Sequence, residues 1–314
     1  MRVFVTGATG LIGKRLTRRL IERGHEPVLL SRRPAGPDIV GHPADFIQGD
    51  PTLPGPWQGR AADCDAIINL AGEGVFNRRW SREFKARLHD SRVQSTEQCA
   101  AAISRYPIRA DGTPRALINA SAIGYYGPHG DEPLDESSPP GNDFLASICV
   151  DWERATEAAA KAGVRVVRTR IGIVLAREGG PLKLMLTPFK LGVGGPIGSG
   201  KQYMSWIHIE DIVGLLVFAL ETPTASGPMN GTAPEAVTNK QFGKSLGRAL
   251  GRPSFMWTPG FMLKLMLGER GEIVTTGQNV VPKRALEWGY HFKFPKLDLA
   301  LANILGNWPA SGVA

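Results

Sequence analysis

Gly7-Ala8-Thr9-Gly10-Leu11-Ile12-Gly13 separates a short β-rich run, residues 2–6, from a stretch with helical spacing, residues 14–23. Glycines at these spacings strip Cβ atoms from a strand-to-helix turn. The backbone can then close on a pyrophosphate, whose charge meets the first N–H groups and the positive dipole end of the helix. This turn, with Thr9, Leu11 and Ile12 between its glycines, reads as a dinucleotide-binding element. Ser31-Arg32-Arg33 ends the second apolar run, where a site for NAD would place Asp or Glu on the ribose 2′-hydroxyl. A hydroxyl and two guanidinium groups suit a 2′-phosphate through charge-assisted hydrogen bonds, so the expected cofactor is NADP(H).

A second group of residues could move protons or hold a substrate. Ser121, Tyr125, Glu73, Asp143 and Cys149 all fall near the ends of predicted strands or the starts of predicted helices. Tyr125 is a relocated proton donor or a ring packed under its loop. Cys149, within Ile148-Cys149-Val150, is a nucleophile or a small core residue. His208 contacts substrate, or is a hydrogen-bonded histidine that holds a lobe in place. Arg78-Arg79-Trp80 clamps an anion or forms an exposed loop.

Such residues need a scaffold that brings distant loops to one edge. Residues 2–6, 27–30, 45–50, 65–70, 115–120 and 165–174 read as six strands, with helices over 14–23, 82–104 and 148–162 and Gly24 closing the first. The fourth strand is almost wholly apolar, as a strand covered on both faces must be. The alternation specifies an α/β fold, a doubly wound parallel Rossmann sheet with right-handed crossovers and ligands at the carboxyl ends of its strands. Residues 1–175 form this domain, completed by about 205–224. Past Glu178 the rhythm breaks into the glycine-rich stretch 191–200, and residues 176–204 and 225–314 read as a smaller C-terminal, substrate-side lobe.

Composition narrows the functional classes. With 42% hydrophobic and 21% charged residues the chain suits a packed globular protein. Lys+Arg 37 against Asp+Glu 29 leaves a net charge of +8, which favours anionic ligands. The basic runs are short and no recognition motif accompanies them, so a small molecule and not nucleic acid is the expected partner. Cys64, Cys99 and Cys149 leave an odd count without metal-like spacing, and the 6 histidines form no HxxH or HxxxH pair. Neither a disulfide framework nor a metal site is expected. No apolar run approaches the roughly 18 residues of a membrane span, and the chain runs directly into a strand, so no membrane partner and a cytoplasmic location are expected.

Three segments, Gly7 to Gly13, Asn69-Leu70-Ala71-Gly72-Glu73 and Ser121-Ala122-Ile123-Gly124-Tyr125-Tyr126-Gly127, resemble the extended short-chain dehydrogenase/reductase superfamily, also called the NAD-dependent epimerase/dehydratase superfamily. Gly194 to Gly200, Trp206 to Asp211, Val280-Val281-Pro282-Lys283-Arg284 and Phe294-Pro295 resemble one atypical branch, whose members are called epimerase family proteins and end in a characteristic C-terminal domain. The resemblance implies that Leu70 and Ala71, with Gly72, border the adenine-side ribose. It also implies that Arg92 lies near the phosphates and Val174 beside the nicotinamide.

The chain departs from the superfamily at the reacting centre. Members use a Tyr-x-x-x-Lys pair with a Ser or Thr, and the tyrosine exchanges a proton as hydride moves. Aligning Glu153 with the acidic residue that usually follows that lysine puts Cys149 at the lysine and Leu145 at the tyrosine. Ala122, one residue after Ser121, falls at the hydroxyl position. The proton must then come from Tyr125, from Ser121 through water, or from the substrate. A phenol with no cation beside it donates better than it accepts at neutral pH, which points to carbonyl reduction. The expected function is an NADP(H)-binding oxidoreductase or epimerase-like enzyme on a small polar or nucleotide-linked substrate. The alternative is a non-catalytic NADPH-binding sensor or scaffold.

Overall fold

Apolar runs too short for a helix form the strands, and amphipathic stretches between them form the helices. The computed structural model describes residues 1–33 and 44–306, and the chain divides into two compact units. The first consists of Met1–Tyr125, Pro140–Ile171 and Val213–Met229. In chain order it holds β1 (Arg2–Thr6), α1 (Leu11–Glu22), β2 (Glu26–Ser31), β3 (Asp45–Gln48), α2 (Trp57–Ala62), β4 (Ala66–Asn69), α3 (Arg82–Ile103), β5 (Ala116–Ala122), α4 (Phe144–Arg154), α5 (Glu157–Lys161) and β6 (Arg165–Ile171). Most of α6 (Ile209–Glu221) and the start of β7 (Gly227–Gly231) complete it.

The seven strands form one sheet in the order β7-β6-β5-β4-β1-β2-β3, and every pair among β1 to β6 is parallel. The order reverses between β1 and β4, which creates the crevice where open α/β sheets bind ligands. One face of the sheet is closed by Phe4, Val28, Ile67, Leu117 and Val166 against Trp57, Cys99 and Ile103. Phe4 and Trp57 stack with ring centroids 5.6 Å apart.

Polar residues stand in register at the carboxyl ends of the central strands: Thr6 opposite Asn69, and Asn69 opposite Asn119. Thr6 Oγ1 donates to Asn69 Oδ1 at 2.5 Å, and Asn69 Nδ2 donates to Asn119 Oδ1 at 2.7 Å and Thr96 Oγ1 at 3.0 Å. Trp152 Nε1 donates to the same Thr96 oxygen at 3.0 Å. All five side chains are buried, so this chain of bonds ties β1, β4 and β5 to α3 and α4 where water cannot substitute.

The second unit consists of Tyr126–Pro139, Gly172–Ile212 and the residues from Asn230 onward. Its core packs Leu182, Leu186 and Phe189 of helix Gly180–Lys190 with Phe242 and Leu246 of helix Asn239–Leu250 and with Leu297 and Leu301 of helix Leu297–Leu305. The bounds of this unit differ from the 176–204 and 225–314 expected for a smaller lobe, since it also takes in Tyr126–Pro139; residues 307–314 lie outside the described ones.

Two expectations are corrected. The sixth strand stops at Ile171, because a Cβ at Gly172 would lie 2.5 Å from the Ser205 carbonyl oxygen, and Ile173–Leu175 instead pairs with Trp206–His208. The helix over 148–162 starts earlier, capped by Asp143, whose Oδ1 accepts the Ala146 N–H at 2.7 Å, and it breaks before α5. The seventh strand of the sheet is β7, just past the segment of about 205–224 expected to complete the domain, of which residues 213–224 do lie in the first unit; Gly227-Pro228-Met229-Asn230-Gly231 carries the turn residues that hide an edge strand from a pattern reading.

Asn69→Ala strands Thr6 and Asn119 without their shared partner. It is expected to lower stability by about 2–3 kcal/mol, read as a shift of the urea midpoint at constant slope. A loss below about 0.5 kcal/mol would show that this chain of bonds is dispensable.

Candidate cofactor and catalytic site

The turn after β1 closes tightly at two positions that admit no Cβ. Gly7 has φ 68°, and a Cβ there would lie 2.6 Å from the Leu70 carbonyl oxygen. A Cβ at Gly13 would lie 2.3 Å from the Gly7 carbonyl oxygen, so the first turn of α1 can sit directly on the loop only as glycine. Gly10 is the N-cap of α1: it brings no side chain to the helix end, and the first turn holds no acidic residue. Such an end, at the switch point of the sheet, is chemically matched to a pyrophosphate. At the end of β2, Ser31 is buried and its Oγ accepts the Arg33 N–H at 3.2 Å, while Arg32 and Arg33 are exposed. These residues fit the ribose phosphate of NADP(H).

The loop after β4 is fixed from α3. The Ala71 N–H donates to Thr6 Oγ1 at 3.2 Å, and the Glu73 N–H donates to Ser91 Oγ at 3.0 Å. Arg92 donates to the carbonyls of Glu73 and Leu88, both at 2.9 Å, and its guanidinium lies over the Trp152 ring and against Gly72. Arg92, implied as a phosphate neighbour, therefore gives two of its N–H groups to main-chain oxygens and shapes the Leu70–Glu73 loop. The Glu73 carboxylate accepts from Asn77 Nδ2 at 2.5 Å. Arg78 and Arg79 are exposed, and Trp80 anchors their loop by donating to the Val75 carbonyl at 2.9 Å.

Beyond β5 the structure assembles a group that the sequence does not announce. Ser121 Oγ donates to Glu153 Oε1 at 2.8 Å. Arg170, in register with Ser121 on β6, grips the same carboxylate with Nε at 2.8 Å and Nη2 at 2.9 Å. All three are buried. The guanidinium carbon of Arg170 lies 3.4 Å from the centroid of the Tyr125 ring. The expectation of a tyrosine without a neighbouring cation is thus corrected, although that cation is already paired with Glu153. Ser121 in turn has its proton engaged by the carboxylate.

Leu145 and Cys149, one turn apart on α4, face Gly124: a Cβ there would lie 3.5 Å from the Leu145 Cβ and 3.8 Å from the Cys149 sulfur. Burial pushes the Cys149 thiol up to about 12, so at neutral pH it carries its proton. Cys149 is 4% exposed and packs as a small core side chain, which leaves the nucleophile reading without an accessible thiolate.

Val174 and His208 belong to the second unit. Val174 is buried in the short strand Ile173–Leu175, opposite Ile207. His208 is 1% exposed; its Nδ1 accepts the Glu210 N–H at 3.0 Å, which leaves the proton on Nε2 to donate to Asn303 Oδ1 at 3.2 Å. Its ring packs on Phe294 with centroids 3.9 Å apart. A substrate role for His208 is corrected to a structural one, because both ring nitrogens are used inside the lobe. Asp211 works beside it, accepting the N–H groups of Lys293 at 2.7 Å and Phe294 at 3.0 Å.

With this geometry in hand, comparison with known proteins is decisive at the family level. Residues 3–231 match the model of the NAD dependent epimerase/dehydratase family. The chain belongs to that family. Residues 258–304 match a second model, a domain of unknown function. The Bos taurus epimerase family protein SDR39U1 is 41% identical over 310 residues, covering 97% of this chain and 100% of the relative. A crystal structure of human SDR39U1 with NADPH superposes with a TM-score of 0.86 at 39% identity, covering 98% and 100% of the two chains. A Corynebacterium glutamicum nucleoside-diphosphate sugar epimerase gives a TM-score of 0.79 at 31% identity, with 98% of this chain and 59% of that one covered.

Within this family member, Glu153 and Arg170 escaped the sequence reading as site residues. The available signal was a charged side chain at position 170 in a strand expected to be covered on both faces. Among the described residues no cluster could hold a metal ion, and no helix is long and apolar enough to cross a membrane.

Burial also pushes Cys64 up to about 11 and Cys99 up to about 12. Native protein at pH 7.5 is therefore expected to resist iodoacetamide at all three thiols, with labelling appearing only on unfolding. Rapid alkylation of Cys149 in the folded protein would contradict its assignment to the core.

Proposed function

We propose that the protein binds NADP(H) and acts as an oxidoreductase or epimerase-like enzyme on a small polar or nucleotide-linked substrate. The observation that carries this reading is the Gly7–Gly13 turn, which admits no Cβ at Gly7 or Gly13, together with Ser31, Arg32 and Arg33 at the end of β2. The human relative crystallised with NADPH supports it. When bound, NADPH supplies the hydride. Tyr125 donates the proton to the carbonyl oxygen of the substrate, so that hydride and proton together convert the carbonyl to an alcohol. Arg170 holds the ring of Tyr125 by its face, and Glu153 holds Arg170. A small-molecule substrate without nucleic-acid or membrane partners fits this site, and three buried free thiols fit a reducing compartment such as the cytoplasm.

A second reading, a non-catalytic NADPH sensor, is favoured by one observation: Leu145 and Cys149, which the resemblance aligns with the superfamily's proton-transfer pair, pack against Gly124, and neither supplies a cation or an acid.

Calorimetric titration is expected to give tighter binding of NADPH than NADH, with Arg32→Ala weakening NADPH by about tenfold and leaving NADH unchanged. Equal affinities would remove the NADP(H) assignment. In a carbonyl-substrate screen followed by NADPH absorbance, Tyr125→Phe is expected to lower the rate by about a hundredfold or more at unchanged NADPH affinity. An undiminished rate excludes Tyr125 as the donor. Tight NADPH binding with no turnover on any substrate favours the sensor.

A further inference from the structure

On helix Gly180–Lys190, Lys183, Thr187 and Lys190 follow one another at helical spacing, share one face and are exposed. That face borders a pocket of about 490 Å³, within the size range of small-molecule sites. Arg177, just before the helix, adds a third cation to the lining. The apolar walls come from three helices: Leu186 from Gly180–Lys190, Leu250 from the end of Asn239–Leu250 and Leu305 from the end of Leu297–Leu305. No carboxylate lines the pocket, and every lining residue belongs to the second unit.

The needs of the fold do not account for these charges. Lys190 lies in the last turn of its helix, where a cation offsets the negative dipole end, but Lys183 closes the first turn, where a cation opposes the dipole, and Arg177 lies outside the helix. On the neighbouring helix Asn239–Leu250, Arg248 is paired with Asp298 at 2.9 Å. Arg177, Lys183 and Lys190 have no such carboxylate partner among the described residues. Three like charges around one pocket repel one another, and a ligand with more than one negative charge relieves that repulsion.

The geometry points to a binding site in the second unit for a phosphate monoester of an apolar alcohol, a small soluble molecule whose dianionic head meets Arg177, Lys183 and Lys190 and whose hydrocarbon part lies on Leu186, Leu250 and Leu305. A phosphate monoester presents three terminal oxygens to the three cations, a match that a carboxylate, with one charge and two oxygens, lacks. The two ammonium groups take phosphate as point charges, and the guanidinium of Arg177 adds a planar fork of donors. The leucines set the other half of the specificity, because only a ligand with a hydrocarbon part covers them from water.

Calorimetric titration of the full chain with n-octyl phosphate below its micelle concentration is expected to give one site with a Kd of about 100 µM or tighter, the same with and without saturating NADPH. Butyl phosphate and inorganic phosphate are expected to bind at least about tenfold more weakly, because they leave the leucines wet. Lys183→Ser with Lys190→Ser is expected to weaken octyl phosphate by about tenfold or more at an unchanged thermal midpoint and NADPH affinity, and Lys183→Arg with Lys190→Arg to retain binding. The proposal is overturned by an absence of binding up to about 1 mM octyl phosphate, by a serine double variant that binds as well as the parent, or by inorganic phosphate that binds as tightly as the octyl ester. Binding that NADPH abolishes would assign the phosphate to the cofactor turn and equally overturn it. So would capture of the chain by phosphatidate vesicles without binding of the soluble ester, which would make the pocket a membrane contact.

Discussion

Asn69 holds the carboxyl edge of the sheet together. Strands end where their ladder bonds end, and the central strands of a parallel sheet do so inside the protein, where an unpartnered polar group costs about 1–3 kcal/mol. Thr6, Asn69, Asn119, Thr96 and Trp152 satisfy one another at that level and leave the adjacent backbone free to turn into loops. The Gly7 turn, the Leu70–Glu73 loop and the segment beyond Ser121 all leave the sheet from this edge. The binding geometry therefore depends on hydrogen bonds one layer beneath it. Ala71 makes the link explicit, because its N–H donates to Thr6 Oγ1 from within the loop itself.

The buried ion pair of Arg170 and Glu153 is the second constraint. Removing two charges from water costs several kcal/mol per ion, so such a pair persists only where its geometry is good and its remaining oxygens are engaged. Both conditions hold: the contact is bidentate, and Ser121 supplies a further donor. The pair also carries the ring of Tyr125 on the guanidinium face. A residue that the sequence offers as an isolated phenol is thus one end of a four-residue assembly reaching from β5 through α4 to β6.

Several residues with chemically suggestive identities serve the second unit as clamps. His208 and Asp211 lie in the Trp206-Ile207-His208-Ile209-Glu210-Asp211 segment, and both turn inward to groups between residues 290 and 303. Glu136 is likewise buried and accepts the N–H groups of Asn230 at 2.9 Å and Arg284 at 3.2 Å, and burial pushes its carboxyl up from the ordinary range. These side chains join segments far apart in sequence, which an irregular lobe without a large sheet must do by side chain to satisfy its buried backbone.

Local pattern alone determined the glycine turn, the six strands before residue 175 and the class of ligand they hold, because periodicity, Cβ-free turns and charge at the end of β2 are properties of short stretches. The same reasoning located Tyr125, Ser121 and Cys149 on their elements but left their roles open. Whether a thiol ionises, whether a histidine has a nitrogen to spare and whether a cation lies beside a tyrosine depend on burial and on partners far away in sequence. Glu153 and Arg170 are 17 residues apart, and His208 and Asn303 are 95. Only the folded chain brings such pairs within 3 Å or so, and only there does the low dielectric of the interior decide which of them carry charge. The seventh strand was hidden for a related reason: Gly227–Gly231 has no strand propensity of its own and is extended because a paired edge was waiting for it.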